Sequence, residues 1–407
     1  MYKLQPKSTE EVRKAVINAL TDNFTLEIVG GGSKRGYGGP IESDKCLSTS
    51  SLSGILEYLP NELVLTARAG TELNLINEVL KENGQELSFE PPDWGPLLDN
   101  IAANPTIGGT IAANLSGPRR FTSGAARDHL LGLEMVTGRG EIIRTGGKVV
   151  KNVTGYDLCK LLAGSFGTLG VITEISIKVQ PAAEKVRTIL IKNLTDLDGI
   201  KLMSEVLGFS YGINGAAFLP KSVVGKSTVD YLRNIGASAL ALRIEGFADS
   251  VLVRSQELRE RLRGFGDIEE LHYKNSRVFW KEIADVSFFH STGNFLWKVL
   301  LPPASGAAFV HKLRSQLSFN HFFDWGGGLV WVQMSEDYKG IEASLIRSVA
   351  KEFGGQGILV RGSASQQSLA SNFEPLDPDL ALLSKKIKEA FDPQYILNPG
   401  RNLSGTS

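Results

Sequence analysis

Three observations from the sequence predict an α+β protein of two or three structural units. The chain has 407 residues, and single hydrophobic cores stop growing near about 250–300 residues. Up to Pro181, short apolar strands alternate with helical stretches and glycine-rich turns. Beyond Pro181, amphipathic helices alternate with strand-like runs over about 200 residues, which is within the size range of one domain.

Composition excludes several classes of protein. Hydrophobic residues make up 42% and charged residues 22% of the chain, as in ordinary globular proteins. Lys+Arg and Asp+Glu number 44 each, and this zero net charge argues against a general nucleic-acid binder. The two cysteines, Cys46 and Cys159, cannot form a disulfide scaffold or hold an iron–sulfur cluster, which usually takes four thiolates. We therefore predict buried free thiols, a reducing compartment and no metal site.

Targeting signals are also missing from the sequence. The first fourteen residues contain no apolar core of a secretory leader. The most apolar stretch, residues 295–310, is interrupted by Lys298 and by Pro302-Pro303 and is too short to cross a bilayer. We expect a cytoplasmic protein, and peripheral attachment at the inner face of the membrane through a partner stays open.

Capping residues and alternation predict the elements of the first unit. Ser8 and Glu11 have the spacing of a capping box, which predicts a helix that begins after Ser8 and ends near Leu20. Thr71 is expected to cap a helix that runs to Asn83, and a further helix is expected before the strand at 63–69. Apolar runs bounded by turn residues predict strands at 25–29, 63–69, 130–137, 141–145 and 171–179, with a short helix at 156–163.

The second unit is predicted from the same signals. Helices are expected at 197–207 and 251–262, and strands at 238–244, 295–301 and 328–334. An amphipathic helix at 380–391 precedes the C-terminal tail. The segment Trp325-Gly326-Gly327-Gly328 has two interpretations, a hairpin turn or a close approach to a ligand or partner.

Glycine is concentrated in the first unit, where 23 of the 44 glycines fall within residues 1–180. The first cluster, Gly30-Gly31-Gly32-Ser33-Lys34-Arg35-Gly36, directly follows a predicted strand. Successive main-chain N–H groups in such a loop can cradle phosphate oxygens. The order of residues matches neither a Walker A loop nor a Rossmann fingerprint, so a plain surface turn remains the alternative.

Two further glycine-rich segments follow. In Thr106 to Asn114, continued by Gly117-Pro118-Arg119-Arg120, small residues leave the backbone open to a flat ring or a pyrophosphate. The alternative is a helix packed closely on a strand. The third runs through Lys151 to Leu158 and then Gly164 to Glu174, where a helix cap alone is the alternative. Three such loops within 150 residues fit one ligand with a diphosphate and a flat ring, which points to FAD.

The three segments, in this order, resemble the FAD-binding domain of the vanillyl-alcohol oxidase/p-cresol methylhydroxylase (PCMH) family. The resemblance is closest to its branch of glycolate oxidase FAD-binding subunits. The motifs that carry it are Glu90-Pro91-Pro92-Asp93-Trp94, Ile107 to Arg120, Gly124 to Asp128, Lys151 to Leu158, Ala390-Phe391-Asp392-Pro393 and Ile396 to Arg401.

The resemblance implies an α+β protein with a PCMH-type FAD-binding domain of two α/β subdomains. It also implies an α+β cap domain with an antiparallel sheet, and hence domains at 1–182, 183–379 and 380–407, the last returning to the FAD domain. The first loop lacks the His or Cys that tethers flavin in some relatives, so non-covalent FAD is expected. By resemblance the cofactor-binding residues are Gly30, Gly31, Gly32, Ser33, Lys34, Arg35, Gly36, Gly108, Gly109, Thr110, Asn114, Gly117, Arg127, Gly164, Gly167, Thr168, Gly170, Val171 and Ile172.

The catalytic residues cannot be assigned in the same way. Relatives that oxidise 2-hydroxy acids carry a histidine-rich element in the cap, since a base must take the hydroxyl proton. The most similar stretch in this chain is His290-Ser291-Thr292-Gly293-Asn294, which lacks the Asp and the second His of that element. The resemblance thus implies a subunit of a glycolate/D-lactate oxidising complex, with a catalytic flavin subunit and an iron–sulfur subunit as partners. A self-sufficient dehydrogenase using His290 with Arg361, and a flavin-free assembly protein, remain alternatives.

Overall fold

The computed structural model describes residues 2–147, 156–290, 294–335, 341–362 and 372–401. The chain divides into two units. The first comprises Met1–Ser116, Gly124–Pro181 and Ser371–Ser407, and the second comprises Gly117–Ser123 and Ala182–Ala370. In this division Gly117–Ser123 group with the second unit and Ser371–Ser407 with the first, whereas the domains implied by the resemblance are 1–182, 183–379 and 380–407.

Strands and helices are numbered in chain order among the described residues. The strands are β1 (Tyr2–Leu4), β2 (Leu26–Val29), β3 (Lys45–Ser48), β4 (Ile55–Leu59), β5 (Val64–Arg68), β6 (Gln85–Glu86), β7 (Leu130–Thr137), β8 (Ile142–Gly146), β9 (Gly170–Lys178), β10 (Gln180–Pro181), β11 (Lys185–Lys192), β12 (Ile213–Leu219), β13 (Ala239–Gly246), β14 (Ile268–Leu271), β15 (Phe295–Leu300), β16 (Asn320–Asp324), β17 (Leu329–Met334) and β18 (Gln356–Arg361). The helices are α1 (Thr9–Asp22), α2 (Leu73–Glu82), α3 (Ile107–Ala112), α4 (Arg120–Ser123), α5 (Ala126–His129), α6 (Leu158–Leu162), α7 (Asp196–Leu207), α8 (Lys221–Val224), α9 (Asp230–Arg233), α10 (Ala248–Arg261), α11 (Tyr273–Asp285), α12 (Gly306–Arg314), α13 (Ile341–Glu352) and α14 (Pro378–Phe391).

The first unit contains two main sheets. β1 and β2 both pair in parallel with β3, so the order is β1-β3-β2. The second sheet is antiparallel and has the order β4-β5-β9-β7-β8. Near the C-terminus, Leu397 extends the parallel sheet by a bridge to Leu26 on β2.

Each sheet of the first unit has its own hydrophobic core. Val12 and Val16 of α1 pack with Leu26 and Leu47 in the core of the parallel sheet. Ile76 of α2 packs in the core of the antiparallel sheet, whose members include Leu65, Ile107 and Ile175. The two cores correspond to the two subdomains that the resemblance implied.

The second unit is built on one eight-stranded sheet of order β14-β11-β13-β12-β16-β17-β15-β18. Its recorded strand pairs are all antiparallel. Helices α7, α10, α12 and α13 supply apolar residues to a single large core with this sheet. The prediction of an α+β fold with an antiparallel sheet in the second unit is therefore confirmed.

Most predicted elements are found within a few residues of their expected ends. The Ser8 hydroxyl accepts a hydrogen bond from the Glu11 N–H at 3.2 Å, so the predicted cap of α1 is confirmed. The Glu11 carboxylate accepts from the Lys7 N–H at 2.8 Å rather than from Ser8, so the second half of the predicted capping box is wrong. The prediction for Thr71 is wrong, because its buried hydroxyl donates to the carbonyls of Gly54 and Arg68 rather than capping α2. The helix expected before residue 63 is instead strand β4 flanked by short 3-10 turns.

Two smaller predictions are also resolved. The Trp325–Gly328 segment connects the antiparallel neighbours β16 and β17, so it is a hairpin turn. Cys46 and Cys159 are both free and buried.

Among the described residues, no helix combines the length and apolar character needed to cross a membrane.

Candidate functional site

The first glycine-rich loop forms one wall of an open cleft in the first unit. Gly30 to Arg35 line this cleft together with Thr106, Gly109, Ala112 and Ala113 of the second segment. Phe166 of the third segment also lines it. The structure therefore brings all three glycine-rich segments to one place. The first contributes its predicted residues 30–35 and the second its predicted Gly109, whereas the third contributes Phe166, which was not predicted.

The glycines of the first loop allow a close approach between two main chains. A Cβ on Gly31 would collide with the carbonyl oxygen of Asn104, and one on Gly30 would collide with the Thr106 hydroxyl. Gly32 has a φ of +90°, which side-chain-bearing residues rarely adopt. The loop thus presents its backbone, not side chains, to the cleft floor between residues 30 and 32.

Cationic groups surround this backbone. Burial lowers the pKa of Lys34 to about 8, while the Asp93 carboxylate opposes the shift. The Arg35 guanidinium pairs with Glu27 on β2, and that hydrogen bond raises the pKa of Arg35. Arg401 lines the same cleft and lies 3.9 Å from Glu27. Lys34, Arg35 and Arg401 thus face two carboxylates, which leaves a net positive charge beside the glycine backbone.

The second glycine-rich segment is a short helix rather than a loop. Thr106 caps α3, and its hydroxyl accepts from the Gly109 N–H at 3.4 Å. A Cβ on Gly108 would lie 2.6 Å from the carbonyl oxygen of Ala69 on the neighbouring strand end. Gly108 is therefore a packing glycine, as in the alternative interpretation of this segment, whereas Gly109 lines the cleft.

The third segment follows α6 and packs on α3. The N–H of Gly164 donates to Ile111 O at 3.1 Å, and the N–H of Phe166 donates to Ala112 O at 2.9 Å. Gly164 and Gly167 both have positive φ. The Thr168 hydroxyl donates to Ser165 O at 2.6 Å within the same turn. Residues 151–155, which belong to the same predicted segment, lie outside the described residues.

The end of this segment lies in the cores rather than in the cleft. A Cβ on Gly170 would lie 2.8 Å from the Met135 methyl group. Val171 and Ile172 point to opposite faces of β9, and they are buried in the parallel-sheet core and the antiparallel-sheet core. Their side chains do not line the cleft described above.

The remaining predicted residues are not among those that line this cleft. Gly36 faces Leu98. Thr110 is buried and donates to Thr106 O at 3.0 Å. The Asn114 side-chain oxygen accepts from the Arg127 N–H at 3.0 Å, which joins two of the predicted residues. Gly117 belongs to the second unit.

Sequence reasoning missed an aromatic wall and two polar residues of the cleft. Tyr37 and Phe166 line the cleft with ring centroids 5.2 Å apart, and Trp94 packs edge-on against Tyr37 at the same distance. Asn398 and Arg401 reach the cleft from the C-terminus. The Asn398-Pro399-Gly400-Arg401 motif is the sequence signal for these two residues, since it belongs to the C-terminal segment that the resemblance returns to the FAD domain.

The second unit contains a separate group of buried charged side chains. Lys298 and Arg120 both lie over the Trp325 ring, with their charged atoms 4.8 and 4.7 Å from its centroid. The Trp325 indole donates to Gly117 O at 3.0 Å. Burial lowers the pKa of Lys298 to about 7, with the Arg120 charge lowering it further and Asp324 opposing.

The candidate base and carboxylate-binding residues are engaged with main chain. A ring nitrogen of His290 lies 3.1 Å from the Asp285 carbonyl oxygen. Arg361 is buried and donates to the carbonyls of Asn294 at 3.0 Å and Phe289 at 2.9 Å. Residues 291–293 lie outside the described residues. Within the described ranges, no group of three or more His, Cys, Asp or Glu could hold a metal ion.

The cleft suits the diphosphate of a dinucleotide. The half-buried backbone of Gly30 to Gly32, the buried Ser33 hydroxyl and the Lys34 ammonium supply donors and positive charge at one strand end. The flanking aromatic and small residues give a flat apolar surface next to them. The fold and this cleft define an FAD-binding protein, and residues 2–146 match the family described as FAD binding domain.

Comparison with known proteins gives the finer assignment. The chain is 34% identical to the glycolate oxidase subunit GlcE of Escherichia coli, over 97% of both chains. It is 37% identical to the glycolate oxidase subunit GlcD of Bacillus subtilis, over 46% of this chain and 38% of GlcD. A crystal structure of p-cresol methylhydroxylase shares the fold, with a TM-score of 0.70 and 15% identity over 100% of this chain and 90% of that chain. The chain belongs to the family of the glycolate oxidase subunit GlcE.

Proposed function

We propose that this chain is the FAD-binding subunit of a glycolate/D-lactate oxidising complex, holding FAD non-covalently beside a separate catalytic flavin subunit and an iron–sulfur subunit. The observation that carries the proposal is the glycine-backbone cleft in a chain that matches GlcE along 97% of its length. Its role is electron transfer or assembly within that complex. We place the complex in the cytoplasm, with attachment to the inner face of the membrane through a partner.

Each unit has a separate task in this proposal. The first unit, with its C-terminal segment, is the FAD domain, and the second is the cap. Gly30 to Gly32, Ser33 and Lys34 hold the diphosphate through backbone N–H groups, a hydroxyl and a cation. The bound FAD would supply an acceptor for two electrons. No His or Cys occurs in the first loop, which supports a non-covalent cofactor.

The proposal assigns substrate oxidation to the partner. A general base needs to lie within hydrogen-bond reach of the proton that it removes. The Arg361 guanidinium instead donates to main-chain carbonyls of the second unit, and the sequence around His290 lacks the Asp and the second His of the relatives' element. This supports a carrier or assembly role over a self-sufficient dehydrogenase.

Spectroscopy on the purified chain tests the cofactor. We expect a yellow protein whose FAD is released into the supernatant by acid precipitation. Replacing Lys34 with Gln removes a charged donor, and we expect FAD affinity to fall about 10–100-fold, since hydrogen bonds to charged groups contribute about 1.5–3 kcal/mol. Lys14→Gln, on the exposed face of α1, is the matched control and should leave the affinity unchanged. A chain that stays colourless after FAD is added would support the flavin-free alternative.

Anaerobic reduction tests whether substrate oxidation belongs to the partner subunit rather than to this chain. Glycolate and D-lactate are added separately to the chain alone and to the chain co-expressed with the catalytic flavin and iron–sulfur subunits. The proposal expects flavin bleaching at a catalytic rate only in the complex. Rapid bleaching of the isolated chain by either acid would refute the assignment and support the self-sufficient dehydrogenase.

A further inference from the structure

The C-terminal segment 388–401 begins in the last turn of α14, and its residues 396–398 pair with the edge of the parallel sheet of the first unit. The Leu26 N–H donates to Ile396 O at 2.7 Å, and the Asn398 N–H donates back to Leu26 O at 2.9 Å. These bonds place the segment directly beside strand β2, which leads into the first glycine-rich loop. The segment therefore lies next to the cleft without belonging to any of the three glycine-rich segments.

The Arg401 side chain binds main-chain carbonyls of residues 35–39, at the end of the first loop and directly after it. Its Nη1 donates to the carbonyls of Arg35 at 2.7 Å, Tyr37 at 3.2 Å and Gly39 at 3.3 Å. The Gly39 N–H donates back to Arg401 O at 2.9 Å. Because peptide units are planar, fixing three carbonyls fixes the orientation of three peptide planes that follow the cleft.

Burial and charge make this contact costly to lose. Arg401 is only 7% exposed. Burial lowers its pKa to about 10, and Glu27 opposes the shift. The guanidinium therefore stays charged at neutral pH, and a buried charge is stable only where hydrogen bonds and counter-charge compensate its desolvation.

Asn398 connects the first and third segments. Its side-chain oxygen accepts from the Ile28 N–H at 2.6 Å, immediately before the first loop. Its side-chain nitrogen donates to Phe166 O at 2.7 Å, in the third segment. Gly167 leaves room for this side chain, since a Cβ there would lie 2.9 Å from the Asn398 nitrogen. One carboxamide thus sets the spacing of two walls of the cleft.

We propose that Arg401 and Asn398 are positioning residues for the cofactor, and that docking of segment 388–401 and binding of the dinucleotide stabilise each other. The proposal rests on the proposed function, in which the first loop holds the diphosphate. A docked segment keeps the loop in its binding conformation, so FAD does not have to order it. By linkage, bound FAD must favour the docked segment by the same factor.

FAD titration of flavin-free protein tests the first half of this proposal. We expect Arg401→Gln to raise the dissociation constant of FAD about tenfold or more, and Asn398→Asp to raise it similarly, because Asp cannot donate to Phe166 O. The matched control is Arg13→Gln. The Arg13 guanidinium bonds Glu10 within the same helix α1, and it bonds neither segment 388–401 nor the first loop. We expect its FAD affinity to stay within about twofold of the parent.

Hydrogen exchange tests the reciprocal half on the unaltered chain. The amides of Leu397, Asn398 and Arg401 are followed by mass spectrometry with and without saturating FAD. We expect FAD to slow their exchange by about the factor by which docking improves FAD affinity. This readout holds even if Arg401→Gln fails to fold.

The outcomes separate the two proposals. Failure of the parent chain to bind FAD would refute the proposed function. If the parent binds FAD, equal affinity in Arg401→Gln would overturn the positioning role. An equal loss in Arg13→Gln would overturn it too, by showing general destabilisation. Unchanged exchange at residues 397–401 would overturn the coupling.

Discussion

Lys388 and Asp392 form an ion pair inside the first unit, with Nζ 2.6 Å from Oδ2. Lys388 lies in the last turn of α14, and Asp392 is the first residue after that helix. Both side chains are almost fully buried, with 3% and 0% exposure. Lys388 also donates to Thr168 O at 2.6 Å and Leu397 O at 3.1 Å. Burial lowers the pKa of Lys388, and the Asp392 carboxylate opposes the shift. The pair thus joins the C-terminal helix to the third segment.

Removing the cation from this pair should strongly destabilise the first unit. We expect Lys388→Met to lower the free energy of unfolding by about 3–5 kcal/mol, because it leaves the Asp392 charge buried without its partner. Urea unfolding measures this. Lys386→Met, two residues earlier and exposed, should stay within about 0.5 kcal/mol of the parent. A Lys388→Met chain as stable as the Lys386→Met chain would contradict the structural role of the pair.

The neighbouring glycines of α3 should separate stability from cofactor binding. Gly108→Ala places a Cβ 2.6 Å from Ala69 O, so we expect a loss of about 1–3 kcal/mol in urea unfolding. Gly109→Ala meets only the Thr106 hydroxyl, at 3.3 Å, but puts a methyl group into the cleft. We expect it to keep the unfolding midpoint and to weaken FAD binding in a titration. The reverse pattern would show that these two glycines have been assigned to the wrong roles.

The two thiols should be unreactive in the folded chain. Burial raises the pKa of Cys46, and it raises that of Cys159 to about 11. Because the thiolate is the reactive species, a disulfide reagent such as DTNB at pH 7.5 should label the folded protein slowly. In guanidinium chloride we expect both thiols to react. Ser53→Cys, at an exposed position, is the positive control and should label at once. Fast labelling of the unaltered chain would contradict the burial.

Local sequence patterns were sufficient to predict a helix or strand where neighbouring residues alone determine the backbone conformation. The Ser8 cap, the hairpin of β7 and β8 and the alternation along β9 all follow from spacing within about ten residues. The prediction that Thr71 caps α2 is wrong because its hydroxyl donates to the carbonyl of Gly54, seventeen residues earlier in the chain. A capping signal cannot distinguish a nearby N–H from a distant carbonyl.

The candidate site was predictable residue by residue in the first loop, and only as segments elsewhere. Glycine marks both ligand contact and close packing, and only the fold shows that Gly108 meets Ala69 while Gly109 lines the cleft. Val171 and Ile172 follow a glycine-rich turn, yet their alternation along β9 sends them into two cores. Arg401 lies more than 360 residues from the loop that it holds, so no local pattern connects them.

Lys298 should give the second unit a stability that rises with pH. Its pKa is about 7 in the folded chain and 10.5 for an exposed lysine. Between these values the unfolded chain binds more protons, so the free energy of unfolding must increase with pH. The penalty for burying the charge is complete below pH 7 and disappears as pH approaches 10.5. Relative to Lys298→Met, which carries no such proton, we expect the parent to gain about 2 kcal/mol between pH 7 and pH 9.

Urea unfolding of both chains at several pH values measures this difference. Taking the difference cancels every other titrating group that the two chains share. The loss of the Lys298 contact with the Trp325 ring shifts the whole curve but not its slope. Lys274→Met, at an exposed position on α11, should give a difference that is flat over the same range. A flat difference for Lys298→Met would mean that the Lys298 ammonium keeps its proton throughout, held by Asp324 against the effect of Arg120.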